Sequence, residues 1–369
     1  MGDFDAVALR KLLAGNTSSI EPAIEEDGQF LYGRTQPADL ETLMQLFYLG
    51  FTAPRRDPEA FLAWRERARE RLRRRQLDPD ERFFDAVQGL LAQGRPRLQP
   101  LTPASVDRVD LDRALAFYRQ RFANAANFTF LLVGNLDLDR LQPLCERYLA
   151  SLPSTSAHEQ SRAVGARLPP GIVKRTFALG QEDKSQSLYL FHGLQPWSEA
   201  AEHELDTLRE VLQLRLHDLL RETLGGVYSV AVSARLVRRR SEYVLSIEFG
   251  CAPDKVDALQ RALWAELAAI RAHGLGEPYL SRVVQLRRRA HELALRGNGF
   301  WQNRLVTAVK FGDSLPPTPD IEPWLGKIAR PRLQAAAAHY LDPRQYVLAV
   351  MVPAGRTAGP APAQARTGP

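Results

Sequence analysis

Leu219-Leu220-Arg221-Glu222-Thr223-Leu224-Gly225-Gly226-Val227-Tyr228-Ser229-Val230 reads as a helix end, a double-glycine turn and the start of a strand. Glycine tolerates the backbone conformations a tight reversal needs, so the chain can leave a helix and enter a strand within a few residues. Upstream, residues 199–224 carry a long helical pattern. Downstream, 227–234 and 242–250 alternate apolar and polar residues as a hairpin does. Strand-like runs at 172–178 and 185–192 precede the helix, and a further strand at 346–352 closes the region. Between them lie helices at 254–273 and 277–296, one centred on Trp301, a proline-rich loop at 315–323 and a helix at 331–340.

The front of the chain repeats this grammar. A short helix (5–14) is followed by a hairpin (18–25 and 29–35) and by helices at 37–51, 58–76 and 79–91. The last of these has Asp78 placed to cap it and Pro79 at its first position. A helix at 112–122, a strand at 127–133 and a helix at 137–149 complete the front half. Phe122 and Phe128, followed by an apolar run, superpose without gaps on Tyr340 and Tyr346. Pro37, Leu40, Leu43 and Phe47 match Pro253, Val256, Leu259 and Leu263, at an offset that agrees to within two residues. The pattern predicts a duplicated α+β unit, an antiparallel-rich sheet packed by helices. Its copies are expected at 1–153 and 171–353, with a linker at 154–170 and a disordered tail of Ala, Pro, Gly and Thr at 354–369. On this alignment the first copy lacks counterparts of the strands at 172–178 and 185–192.

Composition narrows the function classes. With 369 residues, 45% hydrophobic and 25% charged, the chain suits two ordinary globular cores. The net charge of +6 is spread over helix faces where Arg alternates with Asp and Glu. Even the basic stretch 65–75 is interrupted by Glu66 and Glu70, so no nucleic-acid stripe is expected. No apolar run approaches a membrane span, and the first residues lack the pattern of a signal peptide. As written the chain is expected in the cytoplasm, or in the periplasm if an upstream signal peptide is missing. Cys145 and Cys251 fall in different copies, which argues against a disulfide.

Metal chemistry needs clustered ligands. None of the seven histidines (His158, His192, His203, His217, His273, His291, His339) has a second histidine at the spacing of HExxH or HxxEH. Only assembly from distant histidines is left. No phosphate loop or nucleophile elbow is present either. Arg221 and Tyr228 are the candidate substrate-binding residues: a guanidinium at a helix end and a phenol just inside a strand can converge on a carboxylate, a peptide carbonyl or a developing oxyanion. Spacing alone also allows a plainer role, with Arg221 complementing the helix terminus and Tyr228 packing at the surface.

Three segments, taken in order, carry a family resemblance. They are Leu115-Ala116-Phe117-Tyr118-Arg119-Gln120-Arg121-Phe122-Ala123-Asn124 with Phe128 to Asn135, then Leu220 to Tyr228, and Asn298-Gly299-Phe300-Trp301. Together they resemble the pitrilysin/insulinase family of zinc metallopeptidases, and within it the C-terminal, non-zinc half of long bacterial zinc proteases. The likeness runs to about Pro353. It implies two tandem homologous pitrilysin-like domains, no catalytic residue, metal or cofactor on this chain, and substrate binding by Arg221 and Tyr228, whose family spacing is intact. It also implies a zinc-bearing HxxEH half as partner and a peptide as substrate. The expected function is a non-catalytic subunit or fragment of a zinc metalloendopeptidase, inactive alone. The alternatives are a structural or binding protein on a peptidase-like scaffold, or the remnant of a truncated protease gene.

Overall fold

The computed structural model describes residues 1–25, 28–157, 159, 167–180, 183–315 and 319–355. Helices and strands alternate through an α+β fold. The described residues gather into two compact units that interleave along the chain. The first draws on Met1–Arg73, Leu101–Arg162 and Ala294–Pro317, the second on Arg74–Pro100, Ala163–Leu293 and Thr318–Pro369.

In the first unit, strands β1 (Ser19–Ile24) and β2 (Gln29–Arg34) pair antiparallel in the register Ser19↔Arg34 to Ile24↔Gln29. The Leu40–Thr52 helix lies against them and buries Leu43, Met44, Leu46 and Phe51 at helical spacing. Gly33 permits the close approach, since a Cβ there would stand 2.6 Å from the Phe47 ring. Phe51 also meets an aromatic cluster edge-on, with ring centroids 5.9 Å from Phe122 and 4.9 Å from Phe128. Tyr118 caps that cluster and donates from its hydroxyl to the Gly50 carbonyl at 2.8 Å.

The second unit is built on a five-stranded sheet. Strands β3 (Ile172–Ala178), β4 (Ser185–Leu194), β5 (Val227–Val237), β6 (Glu242–Cys251) and β7 (Tyr346–Val352) lie in the order β3-β7-β4-β6-β5. β3 and β7 are parallel; the other pairs are antiparallel. The central strands are buried on both faces, and their side chains divide with the strand period. Tyr189, Phe191, Tyr346, Leu348 and Val350 join the main core. Leu188, Ala349 and Met351 point the other way, to Phe83 and Val87. The main core is closed by the Glu199–Leu216, Val256–His273 and Arg330–Tyr340 helices. Leu205, Leu208, Leu212 and Leu216 recur at helical spacing on the first of these and are essentially inaccessible. Burying each stabilises the fold by about 1.5–3 kcal/mol. Ser198 starts that helix, its side chain accepting from Ala201 N–H at 3.1 Å.

Several expectations change. Of the strand expected at 127–133, Asn127 ends a short 3-10 turn and residues 128–133 belong to no sheet among the described residues. Their alternation is used instead by Phe128 and Phe130, which insert side chains into the aromatic cluster. An apolar alternation reports one buried face; a strand additionally needs a backbone neighbour to bond. The helix expected over 199–224 is α-helical only to Leu216, and His217–Thr223 winds as a π-helix. Compactness also cuts across the spans 1–153 and 171–353. The Pro79–Ala92 helix, capped by Asp78 as expected, covers the outer face of the five-stranded sheet through Phe83 and Val87. The Asn298–Phe311 helix falls in the first unit, where Lys310 lies 5.5 Å from the Phe30 ring centroid. Residues 158 and 160–166 of the linker expected at 154–170, and all but the start of the tail, lie outside the described residues.

Candidate functional site

Arg221 sits in the π-helical turn that ends the long helix of the second unit. A π-turn admits one extra residue per turn, and such turns recur at functional sites because they shift side chains off the regular helix stripe. Its wide hydrogen bonds run from Leu224 N–H to Leu219 C=O (3.0 Å) and from Gly226 N–H to Leu220 C=O (3.1 Å). Leu220, fully buried, anchors the turn in the core. Arg221 points outward, half exposed, and donates from Nη1 to His217 Nε2 at 3.3 Å. A guanidinium carries only N–H donors, so the imidazole nitrogen is the acceptor.

The two glycines that follow do different work. Gly225 has φ +53° with open space where a side chain would be; Gly226 packs so closely that a Cβ would lie 2.6 Å from Leu259 Cδ2. One supplies a left-handed conformation and the other a close approach.

Tyr228 then opens β5, the edge strand. Val227 pairs with Cys251 and Ser229 with Gly250, so Tyr228 is the extra residue of a β-bulge. A bulge turns one side chain out of the strand's alternation. The Tyr228 side chain is 62% exposed, and no hydrogen bond occupies its hydroxyl among the described residues. Arg221 and Tyr228 thus flank one tight turn, both facing solvent, with no bond between them. Lys255 adds a second cation, its Nζ donating to the Gly225 carbonyl at 3.4 Å.

A support lies behind this turn. Arg215 grips Glu266 through two hydrogen bonds of 2.7 and 2.9 Å, and donates a third to Tyr279 Oη at 3.3 Å. Tyr279 in turn donates a hydrogen bond to Asp218 Oδ2 at 3.1 Å. Hydrogen bonding to Glu266 holds the Arg215 guanidinium still more firmly in its charged form than usual. His217 could have been noticed in the sequence, four residues before Arg221 and so on the same helix face. The Arg215, Glu266 and Tyr279 contacts join residues too far apart in the chain to be read from spacing.

Neither cysteine is a nucleophile candidate. Burial pushes the Cys251 thiol up to about 11 and raises that of Cys145 as well, leaving both protonated. Among the described residues no group of three or more His, Cys, Asp or Glu could hold a metal ion, and no helix is long and apolar enough to cross a membrane.

Residues 108–286 match the peptidase M16 inactive domain. The chain is 24% identical over 287 residues to the zinc protease PQQL-like protein of Arabidopsis thaliana, covering 73% of this chain and 30% of that protein. It is 24% identical over 323 residues to the probable zinc protease PqqL of Haemophilus influenzae, covering 82% and 33%. The chain therefore spans about a third of the length of the curated relatives it matches. Among solved structures, the periplasmic protease PqqL from Escherichia coli superposes with a TM-score of 0.77 at 20% identity, covering 95% of this chain and 39% of that one. That likeness carries the fold. By these matches the chain is similar to M16, pitrilysin/insulinase-type zinc proteases and, over residues 108–286, to their inactive domain.

Proposed function

We propose that this chain is the non-catalytic half of a pitrilysin/insulinase-type zinc endopeptidase, as a separate subunit or as a segment of a longer protease. Arg221 and Tyr228 bind the scissile peptide; the zinc sits on an HxxEH-bearing half, where it activates water. The duplicated units at 1–153 and 171–353 are part of the same proposal. The observation that carries it is the exposed pair around Gly225-Gly226, with Tyr228 turned out by its bulge and its hydroxyl free to donate. A guanidinium supplies planar donors for a peptide carbonyl, and a phenol adds a neutral donor for an oxyanion that develops during attack. His217 and the Tyr279–Asp218 bond restrain the turn, so the Arg221 donors are held before substrate arrives.

The test is to mix the purified chain with a zinc-bearing half and follow cleavage of a quenched peptide. Arg221→Ala and Tyr228→Phe should each lower kcat/KM by about 100-fold while the halves associate normally. Activity indifferent to both substitutions would refute the assigned role. A protein that merely uses the scaffold would bind its partner with no dependence on either residue, so the same variants separate the two readings. Stoichiometric zinc and peptidase activity in the isolated chain would overturn the proposal outright.

A further inference from the structure

A pocket in the second unit lies apart in sequence from the Arg221 turn. It is a half-open depression between the start of the Glu199–Leu216 helix and residues 324–336, with about 420 Å³ of non-atom space when the open solvent at its mouth is included. Its floor is apolar: Ala200, Ile328, Leu333 and Ala336. Its polar groups are His203, Lys327, Arg332 and Glu204.

The protonation of His203 follows from its partner. Arg287, a buried guanidinium, donates from Nη2 to His203 Nδ1 at 2.7 Å and from Nη1 to the His203 carbonyl at 3.0 Å; it also bonds Thr207 Oγ1. Arginine is always charged and only donates, so Nδ1 must accept and the ring proton must sit on Nε2. Burial, then the charges of Arg287, Lys327 and His291, hold this imidazole neutral by pushing its pKa down to about 4. The result is a fixed N–H donor at Nε2 with no partner among the described residues. Trp324 stacks on the ring at 4.6 Å and locks its plane. On Trp324 also rests the Lys327 ammonium, 3.9 Å from the ring centroid, with no carboxylate partner among the described residues. Arg332 reaches Glu204 only at 3.7 Å, beyond a normal hydrogen bond.

We propose that this pocket binds a monoanionic carboxylate carried on a short apolar body, such as the C-terminal carboxylate of a leucine-like residue. The carboxylate accepts from His203 Nε2, Lys327 and Arg332, and the aliphatic part covers Ala200, Ile328, Leu333 and Ala336. Among the lining side chains Lys327 and Arg332 against Glu204 leave one net positive charge, and Arg287 behind His203 adds to the positive potential, so the pocket favours an anion. The inference does not depend on the peptidase reading, because none of these residues belongs to the Arg221 turn.

The probe is N-acetyl-leucine, titrated into the intact chain by calorimetry or ligand-observed NMR, with N-acetyl-leucinamide as the uncharged control. Saturable binding with a Kd of about 1 mM is expected, with the amide weaker by about 10-fold or more. Lys327→Gln and Arg332→Gln, both at exposed positions, should each weaken the acid by about 10-fold with unchanged circular dichroism. A tetrapeptide ending in leucine that binds as well as the acid identifies a chain terminus as the source. Binding of the small acid but not the tetrapeptide identifies a free metabolite. No saturation below about 10 mM, equal binding of acid and amide, or indifference to both substitutions overturns the proposal.

Discussion

Tyr279 donates a hydrogen bond of 3.1 Å to Asp218, tying the π-helical turn that carries Arg221 to a helix 61 residues further along the chain. The same phenol accepts from Arg215, which grips Glu266. Position and stability are therefore coupled at this turn. Tyr279→Phe removes both half-buried bonds of the hydroxyl, the one to Asp218 and the one from Arg215, and should cost about 1–2 kcal/mol in urea unfolding. Glu266→Gln breaks a charge pair in which both side chains are mostly covered and should cost about 2 kcal/mol. A change below 0.5 kcal/mol for both, taking ~0.5 as the usual scatter of surface substitutions, would show that the network only decorates the turn.

The two glycines of the turn should respond differently to the same methyl group. At Gly225 the space is open and only the left-handed conformation resists, so Gly225→Ala should cost about 1 kcal/mol. At Gly226 the new Cβ would strike Leu259, which is buried in the core, and overpacking of this kind costs about 1–3 kcal/mol. Leu259→Ala alone leaves a cavity, yet combined with Gly226→Ala it should recover part of that loss. Strict additivity in the double-mutant cycle would mean that the two sites do not touch.

Arg221 and Tyr228 are exposed, and exposed side chains away from cores change stability little. Arg221→Ala and Tyr228→Phe should therefore each shift unfolding free energy by less than about 0.5 kcal/mol. Thermal denaturation checks this, and a large loss in either would turn the pair back into a structural feature.

How much of this was legible in the sequence depends on what carried the signal. The order of strands and helices was readable because the apolar spacing of Leu205, Leu208 and Leu212, or of Tyr189 and Phe191, is set by local geometry. Arg221 and Tyr228 stood out through the family resemblance, since their spacing, six residues with two glycines among them, left a plainer surface role open. The π-turn was not, since an apolar stripe looks the same whether the last turn holds its ordinary number of residues or one more. Nor was the fate of residues 128–133, whose alternation states that Phe128 and Phe130 pack inward, half-buried, but not whether a neighbour bonds the backbone. The Pro79–Ala92 helix announced its own start through Asp78 and Pro79, while its seat on β4 and β7 rests on contacts made across nearly the length of the chain. The His203 pocket joins two segments that share no motif.

His203 should make stability depend on pH in a defined window. Its folded pKa is depressed to about 4, first by burial and then by the charges of Arg287, Lys327 and His291, below the ordinary histidine value. A group depressed in the folded state contributes stability that is fully present above its unfolded pKa, about 6.5, and is lost as pH falls toward the folded value. Discounted for the ring's partial exposure to solvent, the loss between neutral pH and pH near 4 should be roughly 1–2 kcal/mol. His203→Gln keeps an acceptor for Arg287 but cannot titrate, so its stability should fall less over that window than the wild type's. Partly buried carboxylates such as Asp206 and Glu210, whose pKa values are raised by desolvation, act in the opposite sense and favour the folded state as pH falls. The informative quantity is accordingly the difference between the two proteins, measured by urea unfolding at pH steps from 7 down to 4.5. Parallel curves for the wild type and His203→Gln would show that His203 gains no proton on unfolding, and with it would fall the assignment of a neutral ring with its proton on Nε2.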